Sequence, residues 1–322
     1  DVPRLRGRAA GARLVAVRNF LGVFGHVVLD HIMDVPWLPV PDRTVRALGW
    51  ETHFGGTGGN IARIAAKLGV PTALASFVGE DFPAAYRAGL AADGVDVTDL
   101  RVVRGATTPA AWIFTAPGGR QTTVIDQGPM WDAHTRPVPA HTVRSAQIVH
   151  LGTGRPRYHL RVARLAARLG KTIALDPSQE ITYAYTRTSF LALLRHARMF
   201  FGNEAETRFA LKFARVREPR DLLRYVDQVV VTRGRRGSLV ITREDGMHRI
   251  PRVPPRRVVD VTGAGDAYRA GYYAGMSRGY EPRRCGLLGS AVASFVIEAS
   301  GPQTATPTWT QAIARARKFD GF

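Results

Sequence analysis

The segment DVTGAGDAYRAG, from Asp260 to Gly271, places two glycines and an alanine between two aspartates. The small residues Gly263–Gly265 predict a bare loop at the start of a helix, where backbone N–H groups without partners favour a bound anion. We expect Thr262 to cap this helix, with Asp266 in its first turn. A carboxylate there can accept a proton from a hydroxyl that attacks a bound phosphate, as phosphoryl transfer requires. A tight turn with a capping aspartate is the alternative interpretation.

The composition indicates a globular α/β protein. The chain has 322 residues, of which 45% are hydrophobic, so it can form a sizeable core. No apolar run reaches the roughly 18 residues that a membrane-spanning helix needs. Cys285 is the only cysteine, which excludes an intramolecular disulfide and is typical of a reducing compartment. We therefore expect a cytoplasmic protein without a membrane partner.

The chain is strongly basic, with a formal net charge of +19. Such a charge attracts polyanions whatever the function of the protein. The sequence contains no zinc-finger spacing, basic zipper or aromatic RNA-binding signature, so nucleic acid is not expected to be the main partner. Residues 1–19 carry five arginines and no compact apolar core, and are predicted to form a basic N-terminal extension.

Apolar runs and amphipathic segments alternate along residues 20–322. Repeated strand–helix units of this kind predict one α/β domain with a mostly parallel sheet and helices on both faces. The predicted strands are 20–30, 72–79, 146–152, 171–177, 197–203 and 226–234. The predicted helices are 59–69, 82–94, 159–170, a segment after Thr188, 204–214 and 219–226.

Two regions break this alternation. Residues 31–54 are rich in Pro, Trp and Val without a helical period, and residues 108–127 contain two β segments around Pro117–Gly119. We expect both to form a small β lid outside the main sheet. Residues 238–253 predict a further hairpin, with its turn at Asp245 and Gly246.

A second glycine-rich segment, FGGTGGNIA, covers Phe54 to Ala62. It lacks the Gly-Lys-Ser/Thr ending of a P-loop, and its position does not suit a dinucleotide-binding fingerprint. Its glycines allow a ligand to approach the backbone closely, and Asn60 offers both a donor and an acceptor. A structural helix cap is the alternative.

Taken together, the two glycine-rich segments resemble the signatures of the ribokinase-like (PfkB) family of carbohydrate and nucleoside kinases. DVTGAGDAYRAG is similar to the C-terminal signature and GGTGGN to the N-terminal one, and the resemblance covers Phe20 to Thr306. The combination of FGGTGGN, SFVGEDF and IDQGPM resembles the archaeal branch, which includes broad-specificity nucleoside kinases. The resemblance implies a ribokinase-like three-layer α/β/α domain with a β lid, ATP as phosphoryl donor and Mg²⁺ as cofactor.

The resemblance also implies roles for matching residues. Asp266 corresponds to the general base, and the backbone of Gly263, Ala264 and Gly265 to the anion hole. The positions that would contact sugar or base are Asp30 at the end of strand one, Gly56, Thr57, Asn60, Gln127 and Met130. The positions on the nucleotide side are Asn203, Glu206, Thr232, Gly234 and Thr262, of which Asn203 and Glu206 would order Mg²⁺ through water. Asp260 would contribute to a monovalent-cation site, for example for K⁺.

The sequence is compatible with more than one phosphoryl acceptor. Ribokinases typically carry Lys after the paired glycines, whereas Thr57 occupies that position here and favours a bulkier or uncharged substrate. The 5′-hydroxyl of a nucleoside is therefore the first hypothesis, and a ribose, fructose or phosphosugar kinase is the alternative. A catalytically inactive kinase fold that binds nucleic acid or assembles with other proteins is a second alternative. The family often forms dimers through the lid, and the apolar lid residues Trp37 and Trp50 are compatible with a homodimer.

Overall fold

The computed structural model of this chain describes residues 18–319. The predicted N-terminal extension lies outside these residues except for its last two, and Asn19 already belongs to the first strand. Within the described part of the chain, no helix combines the length and the apolar character that crossing a membrane requires.

All strands within residues 18–319 belong to two sheets. The strands are β1 (Asn19–Phe24), β2 (Val28–Asp34), β3 (Gly49–Gly55), β4 (Thr72–Val78), β5 (Val95–Val102), β6 (Ala110–Ala116), β7 (Arg120–Asp126), β8 (Ala146–Leu151), β9 (Thr172–Leu175), β10 (Met199–Asn203), β11 (Gln228–Thr232), β12 (Ser238–Thr242) and β13 (Gly246–Ile250). The central sheet has the order β13-β12-β11-β10-β9-β8-β1-β4-β5, and the second sheet, which we call the lid sheet, has the order β3-β2-β6-β7.

Some helices connect strands, and the last three follow β13. The α-helices are α1 (Thr57–Lys67), α2 (Ala84–Ala92), α3 (Ala140–Ser145), α4 (Pro156–Arg168), α5 (Arg187–Leu194), α6 (Glu204–Ala214), α7 (Ala264–Met276), α8 (Pro282–Val296) and α9 (Trp309–Ala316). Helices α1, α2, α7 and α8 pack in one apolar cluster, and α4, α5 and α6 pack in another on the opposite face of the sheet. The prediction of a mostly parallel sheet between two helical layers is confirmed, because only two strand pairs of the central sheet, β11–β12 and β12–β13, are antiparallel.

The segment 20–30, predicted as one strand, is in fact two strands in different sheets. β1 pairs with β4 and β8 in the central sheet, whereas β2 pairs with β3 and β6 in the lid sheet. The chain leaves the central sheet at Gly25–Val27, where the carbonyl of His26 accepts hydrogen bonds from Gly58 and Gly59 at the start of α1. Apolar residues continue through this break, so the hydrophobic pattern does not reveal it.

The lid sheet occupies the two regions that interrupt the strand–helix alternation, with the predicted bend between β6 and β7. One face carries Asp30, Ala111 and Ile125, which are paired in register, and this face lines the cleft described below. The opposite face carries His31, Trp112 and Val124. Alternation along each strand therefore separates the two faces of the lid.

Two further predictions need correction. Residues 219–226 do not form an α-helix, because Pro219–Arg224 adopt a short 3₁₀ helix instead. β5, at one edge of the central sheet, was not predicted, because charged and polar residues interrupt its apolar pattern. The hairpin predicted at 238–253 is confirmed as β12 and β13.

Candidate active site

A cleft of about 430 Å³ opens between the lid sheet and the carboxyl edge of the central sheet. In open α/β sheets this edge is where ligands bind, because loops from several strands meet there. The cleft brings together most of the predicted site residues from both ends of the chain. They are Asp30, Gly56, Thr57, Asn60, Asn203, Glu206, Thr232, Gly234, Thr262, Gly263, Ala264, Gly265 and Asp266.

The loop before α7 has the bare character that the sequence predicts. Gly263 is the N-cap of α7 and has φ +74°, in the left-handed region that favours glycine. A Cβ at this position would lie 2.4 Å from Cβ of Pro302, so a larger residue would displace the loop. The prediction that Thr262 caps the helix is wrong, because its hydroxyl donates to Asp260 Oδ1 over 2.7 Å.

The start of α7 offers backbone donors to the cleft. The N–H of Ala264 donates to the Val261 carbonyl over 3.2 Å. The N–H groups of Gly263 and Gly265 have no partner among residues 18–319. Together with the helix dipole, these two groups provide a positive potential that suits a phosphate.

Asp266 lies in the first turn of α7 and lines the cleft. Its Oδ2 accepts a hydrogen bond of 2.8 Å from Asn60 Nδ2 on α1. Burial raises the pKa of Asp266 to about 7, although the hydrogen bond from Asn60 and the positive charge of Arg269 both act to lower it. A carboxylate with a pKa near neutrality can both accept and release a proton at physiological pH.

Asp30 supplies a second carboxylate from the lid side of the cleft. It belongs to β2 in the lid sheet and not, as predicted, to the end of the first central strand. A Cβ at position 55 would lie 1.8 Å from Asp30 Oδ2, so Gly55 makes room for this side chain. Burial, followed by the nearby charge of Asp266, raises the pKa of Asp30 to about 7. Two carboxylates thus face one cavity from opposite sides.

Asn203 and Glu206 lie at the start of α6 and form a reciprocal capping pair. Asn203 Oδ1 accepts from the Glu206 N–H over 2.9 Å, and Glu206 Oε2 accepts from the Asn203 N–H over 2.7 Å. Asn203 therefore is the N-cap of α6, while Glu206 Oε1 has no hydrogen-bond partner within the described residues. One free carboxylate oxygen at the cleft wall fits a magnesium ion that is held through water.

Arg269 is a buried cation that sequence reasoning missed. Its guanidinium donates to both carboxylate oxygens of Asp176, which follows β9, and its Nη2 lies 4.0 Å from Glu206 Oε2. Arg269 lies three residues after Asp266 on α7, so both side chains face the cleft. The signal in the sequence was an arginine among the small residues of a helix that packs against the sheet.

A second cavity, of about 250 Å³, adjoins the cleft on the far side of the α7 loop. The two cavities share Thr232, Gly234, Val261, Ala264 and Gly265. The walls of the second cavity are mostly apolar, since they include Val253, Val258, Tyr268, Ala293 and Ile297. A flat aromatic group fits such walls, and the shared residues lie between it and Asp266.

Gln127 and Met130, which were predicted to contact the sugar or the base, do not line the cleft. Met130 is completely buried in the apolar cluster around β8 and α4, so the prediction of a substrate contact is not supported. Gln127 lies behind the wall, where its Nε2 donates to Glu180 Oε1 over 2.9 Å. The lid instead presents Gln121 and Thr123 from β7 to the cleft.

The cleft lining also includes the buried polar residues His26 and Glu180. Burial raises the pKa of Glu180 to about 7 and lowers that of His26 to about 4. Glu180 also accepts a short hydrogen bond from the Gly154 N–H. The uncharged hydroxyls of Thr57 and Thr153 form a hydrogen bond of 2.6 Å with each other in this region.

Comparisons with known proteins agree with this geometry. Residues 18–309 match the pfkB family carbohydrate kinases. The chain is 34% identical to a nucleoside kinase of Methanocaldococcus jannaschii over 297 residues, covering 91% of this chain and 95% of that protein.

Comparison with solved structures shows the same fold. The crystal structure of the Methanocaldococcus jannaschii nucleoside kinase, described as an archaeal member of the ribokinase family, has a TM-score of 0.85 at 33% identity and covers 94% of this chain and 100% of its own. The nucleoside kinase of Burkholderia thailandensis in complex with inosine has a TM-score of 0.86 at 24% identity, covering 94% of this chain and 99% of its own, and supports the fold.

The ion pair of Arg269 with Asp176 makes a prediction about stability. Asp176→Asn leaves the buried guanidinium without its main counter-charge, and should lower the free energy of unfolding by about 3 kcal/mol or more. Asp227→Asn is the matched control, because Asp227 pairs with arginines at the surface and is 46% exposed. The control should cost about 1 kcal/mol or less. Urea unfolding measures both, and equal losses would contradict the role of the buried pair.

Proposed function

The chain belongs to the pfkB family of carbohydrate kinases, and on this basis we propose that it transfers the terminal phosphoryl group of ATP to the 5′-hydroxyl of a nucleoside. The observation that carries the proposal is the position of Asp266. Its carboxylate lies in one cleft with the bare loop Gly263–Gly265 on one side and the polar side chains of Asp30 and Asn60 on the other.

In the proposed reaction, Asp266 is the general base. The 5′-hydroxyl donates its proton to the carboxylate as its oxygen attacks the γ-phosphorus, and the bond from that phosphorus to the β-bridging oxygen breaks to release ADP. The N–H groups of Gly263 and Gly265 stabilise the negative charge on the phosphoryl oxygens. Positioning and charge stabilisation of this kind account for most of the rate in phosphoryl transfer.

ATP would lie across the two adjoining cavities. Its adenine fits the apolar second cavity, and its phosphates pass Thr232 and Gly234 towards the α7 loop. A magnesium ion bound to the phosphates would neutralise their charge, with Glu206 and Asn203 as its protein contacts through water. The hydroxyl of Thr262 donates to one oxygen of Asp260, and the other oxygen accepts from the Gly301 N–H. In this proposal the Asp260 carboxylate would also contribute to a site for a monovalent cation.

The acceptor would bind between Asp30 and Asn60. A carboxylate and an amide can each pair with one hydroxyl of a vicinal diol, as in ribose. Gly56 allows the sugar to approach the backbone, and Thr57 adds no charge. Beyond the sugar, Ala111, Ile113 and Ile125 of the lid form an apolar wall that suits a nucleobase.

We also propose that the protein is a cytoplasmic homodimer. The lid face that points away from the cleft carries Trp50 and Val124, which are 63% and 55% exposed. On the same face the rings of His31 and Trp112 stack with their centroids 5.8 Å apart. Exposed apolar groups gathered on one sheet face are typical of a protein–protein interface. Cys285 is buried and unpaired, which is compatible with the cytoplasm.

A panel of acceptors tests the substrate. With ATP and Mg²⁺, nucleosides should be phosphorylated at the 5′ position with a higher kcat/KM than ribose, fructose or fructose 6-phosphate. The reason is that only a nucleoside has a base that contacts the apolar wall of the lid. Phosphate transfer to a simple sugar alone would favour a sugar kinase. Salt-dependent RNA binding without transfer to any acceptor would favour the inactive-fold alternative.

Replacement of Asp266 tests the mechanism. Asp266→Asn keeps the size of the side chain but cannot accept a proton, so kcat should fall by about 10²–10⁴-fold while ATP binding is retained. Asp227→Asn, at an exposed position, should leave kcat unchanged.

The pH dependence gives a second readout of the same variant. Because the pKa of Asp266 is raised to about 7, the carboxylate gains a proton as the pH falls below that value, and wild-type kcat/KM should fall with it. The pKa of Asp30 is also raised to about 7 and this residue is proposed to bind the acceptor, so the variant is compared with the wild type by kcat at saturating acceptor. The residual kcat of Asp266→Asn should lack the acidic limb, and a limb that persists unchanged would assign the base to another residue.

The homodimer has a separate test. Trp50→Glu places a charge on the exposed lid face and should shift the protein from dimer to monomer in sedimentation velocity. Met247→Glu, at a position that is 51% exposed on β13, is the control and should leave the mass unchanged. A wild-type protein that sediments as a monomer at all concentrations would contradict the proposal.

A further inference from the structure

Four polar side chains form a continuous chain of hydrogen bonds that ends at Asp266. It runs from Arg63 on α1 through Gln303 to Asn60, and from Asn60 to the carboxylate. We propose that Gln303 is a positioning residue that fixes the direction of the hydrogen bond from Asn60 to Asp266. The inference rests on the proposed role of Asp266 as the base.

The direction of the chain is determined at its far end. Arg63 Nη1 donates to Gln303 Oε1 over 2.9 Å, and Arg63 Nε donates to Asp93 Oδ2 over 2.5 Å. A guanidinium has five N–H donors and no acceptor, so it can pair only with the oxygen of the Gln303 amide. The amide of Gln303 therefore cannot turn over without losing this hydrogen bond.

Tyr86 fixes the same amide from a second side. Its hydroxyl donates to the Gly55 carbonyl over 2.7 Å, so it can only accept from Gln303 Nε2, which lies 2.8 Å away. A Cβ at Gly59 would lie 2.2 Å from this hydroxyl, and the glycine therefore makes room for the contact. The second hydrogen of Gln303 Nε2 goes to Asn60 Oδ1 over 2.9 Å.

The hydrogen bond from Gln303 determines which way the side-chain amide of Asn60 faces. With its oxygen already accepting from Gln303, only its Nδ2 can face Asp266, and the distance from Nδ2 to Asp266 Oδ2 is 2.8 Å. An N–H donor of this kind stabilises the ionised carboxylate, which is the form that a base needs. If Asn60 turned over, its oxygen would face the carboxylate and favour the protonated form instead.

Burial makes this control effective. Asn60 is 3% exposed and Gln303 9% exposed, so water cannot readily replace the lost partners if either amide turns. The segment that carries Gln303 is itself tied to the site, since the Gly301 N–H donates to Asp260 Oδ2 and Pro302 packs against Gly263. Residues 301 and 302 thus contact the loop before α7, and residue 303 contacts Asn60, the hydrogen-bond partner of Asp266.

The other charged groups that face Asp266 do not depend on Gln303. They are Arg269 on the same helix, Asp176 after β9, Glu206 on α6 and Asp30 on β2. A change at Gln303 leaves these groups in place. A shift in the titration of Asp266 on changing Gln303 would therefore report the turn of the Asn60 amide.

Three variants separate orientation from charge and from folding. Gln303→Met keeps the length of the side chain, removes all three hydrogen bonds of the amide and adds no charge. Gln303→Glu cannot donate to Asn60, and Arg63 faces its added negative charge. Arg63→Met leaves Gln303 in place but removes one of the two contacts that orient its amide, together with one positive charge. Gln147→Met, at an exposed position near the start of β8, is the control.

The readout is the pH dependence of kcat on the best acceptor, together with the titration of Asp266 followed by ¹³C NMR of labelled aspartate. Gln303→Glu should move both midpoints upwards by about one pH unit and lower kcat about fivefold at pH 7. Gln303→Met and Arg63→Met should shift them in the same direction by less, with KM for ATP unchanged. Gln147→Met should behave as wild type.

Unchanged midpoints in all three variants, accompanied only by lower thermal stability, would overturn the inference and leave Gln303 a structural role. If Gln303→Glu fails to fold, the two methionine variants decide between these outcomes. The NMR titration requires no acceptor, so failure of the proposed nucleoside activity is distinguishable from failure of this inference. If the wild type phosphorylates a sugar instead, the same profile is measured with that sugar.

Discussion

The hydrogen bond between Asn60 and Asp266 joins two glycine-rich segments that are 206 residues apart in the chain. It places the start of α1 against the start of α7, and the cleft forms between them and the lid. The parallel order of the central sheet makes this meeting feasible, since it brings the loops after several strands to one edge. The contact thereby joins the proposed base directly to one of the proposed sugar-binding residues.

The electrostatics of the cleft are opposite to those of the chain as a whole. The sequence has a net charge of +19, yet the cleft gathers Asp30, Glu180, Glu206 and Asp266 around one buried cation, Arg269. Burial favours the neutral form of these carboxyl groups, and Arg269 opposes that tendency for Glu206 and Asp266. A bound nucleotide with its magnesium ion would add charge to this balance, so the protonation of the site is expected to depend on ligand binding.

The sequence could predict what short segments determine. The α7 loop, the position of Asp266 and the pairing of Asn203 with Glu206 each depend on residues within a few positions of one another. Gln303 and Asp176 could not be found this way, because their partners lie 243 and 93 residues away. The split of the first strand at Gly25–Val27 and the burial of Met130 have the same cause, since both depend on packing between distant segments.

The most direct test of the central claim is a crystal structure with a nucleoside and a non-hydrolysable ATP analogue. We expect the 5′-oxygen within about 3 Å of an Asp266 oxygen, as a general base requires. The terminal phosphate should lie at the N–H groups of Gly263 and Gly265, and the ribose diol between Asp30 and Asn60. A nucleoside whose 5′-oxygen points away from Asp266, or a phosphate bound elsewhere, would contradict the proposed reaction.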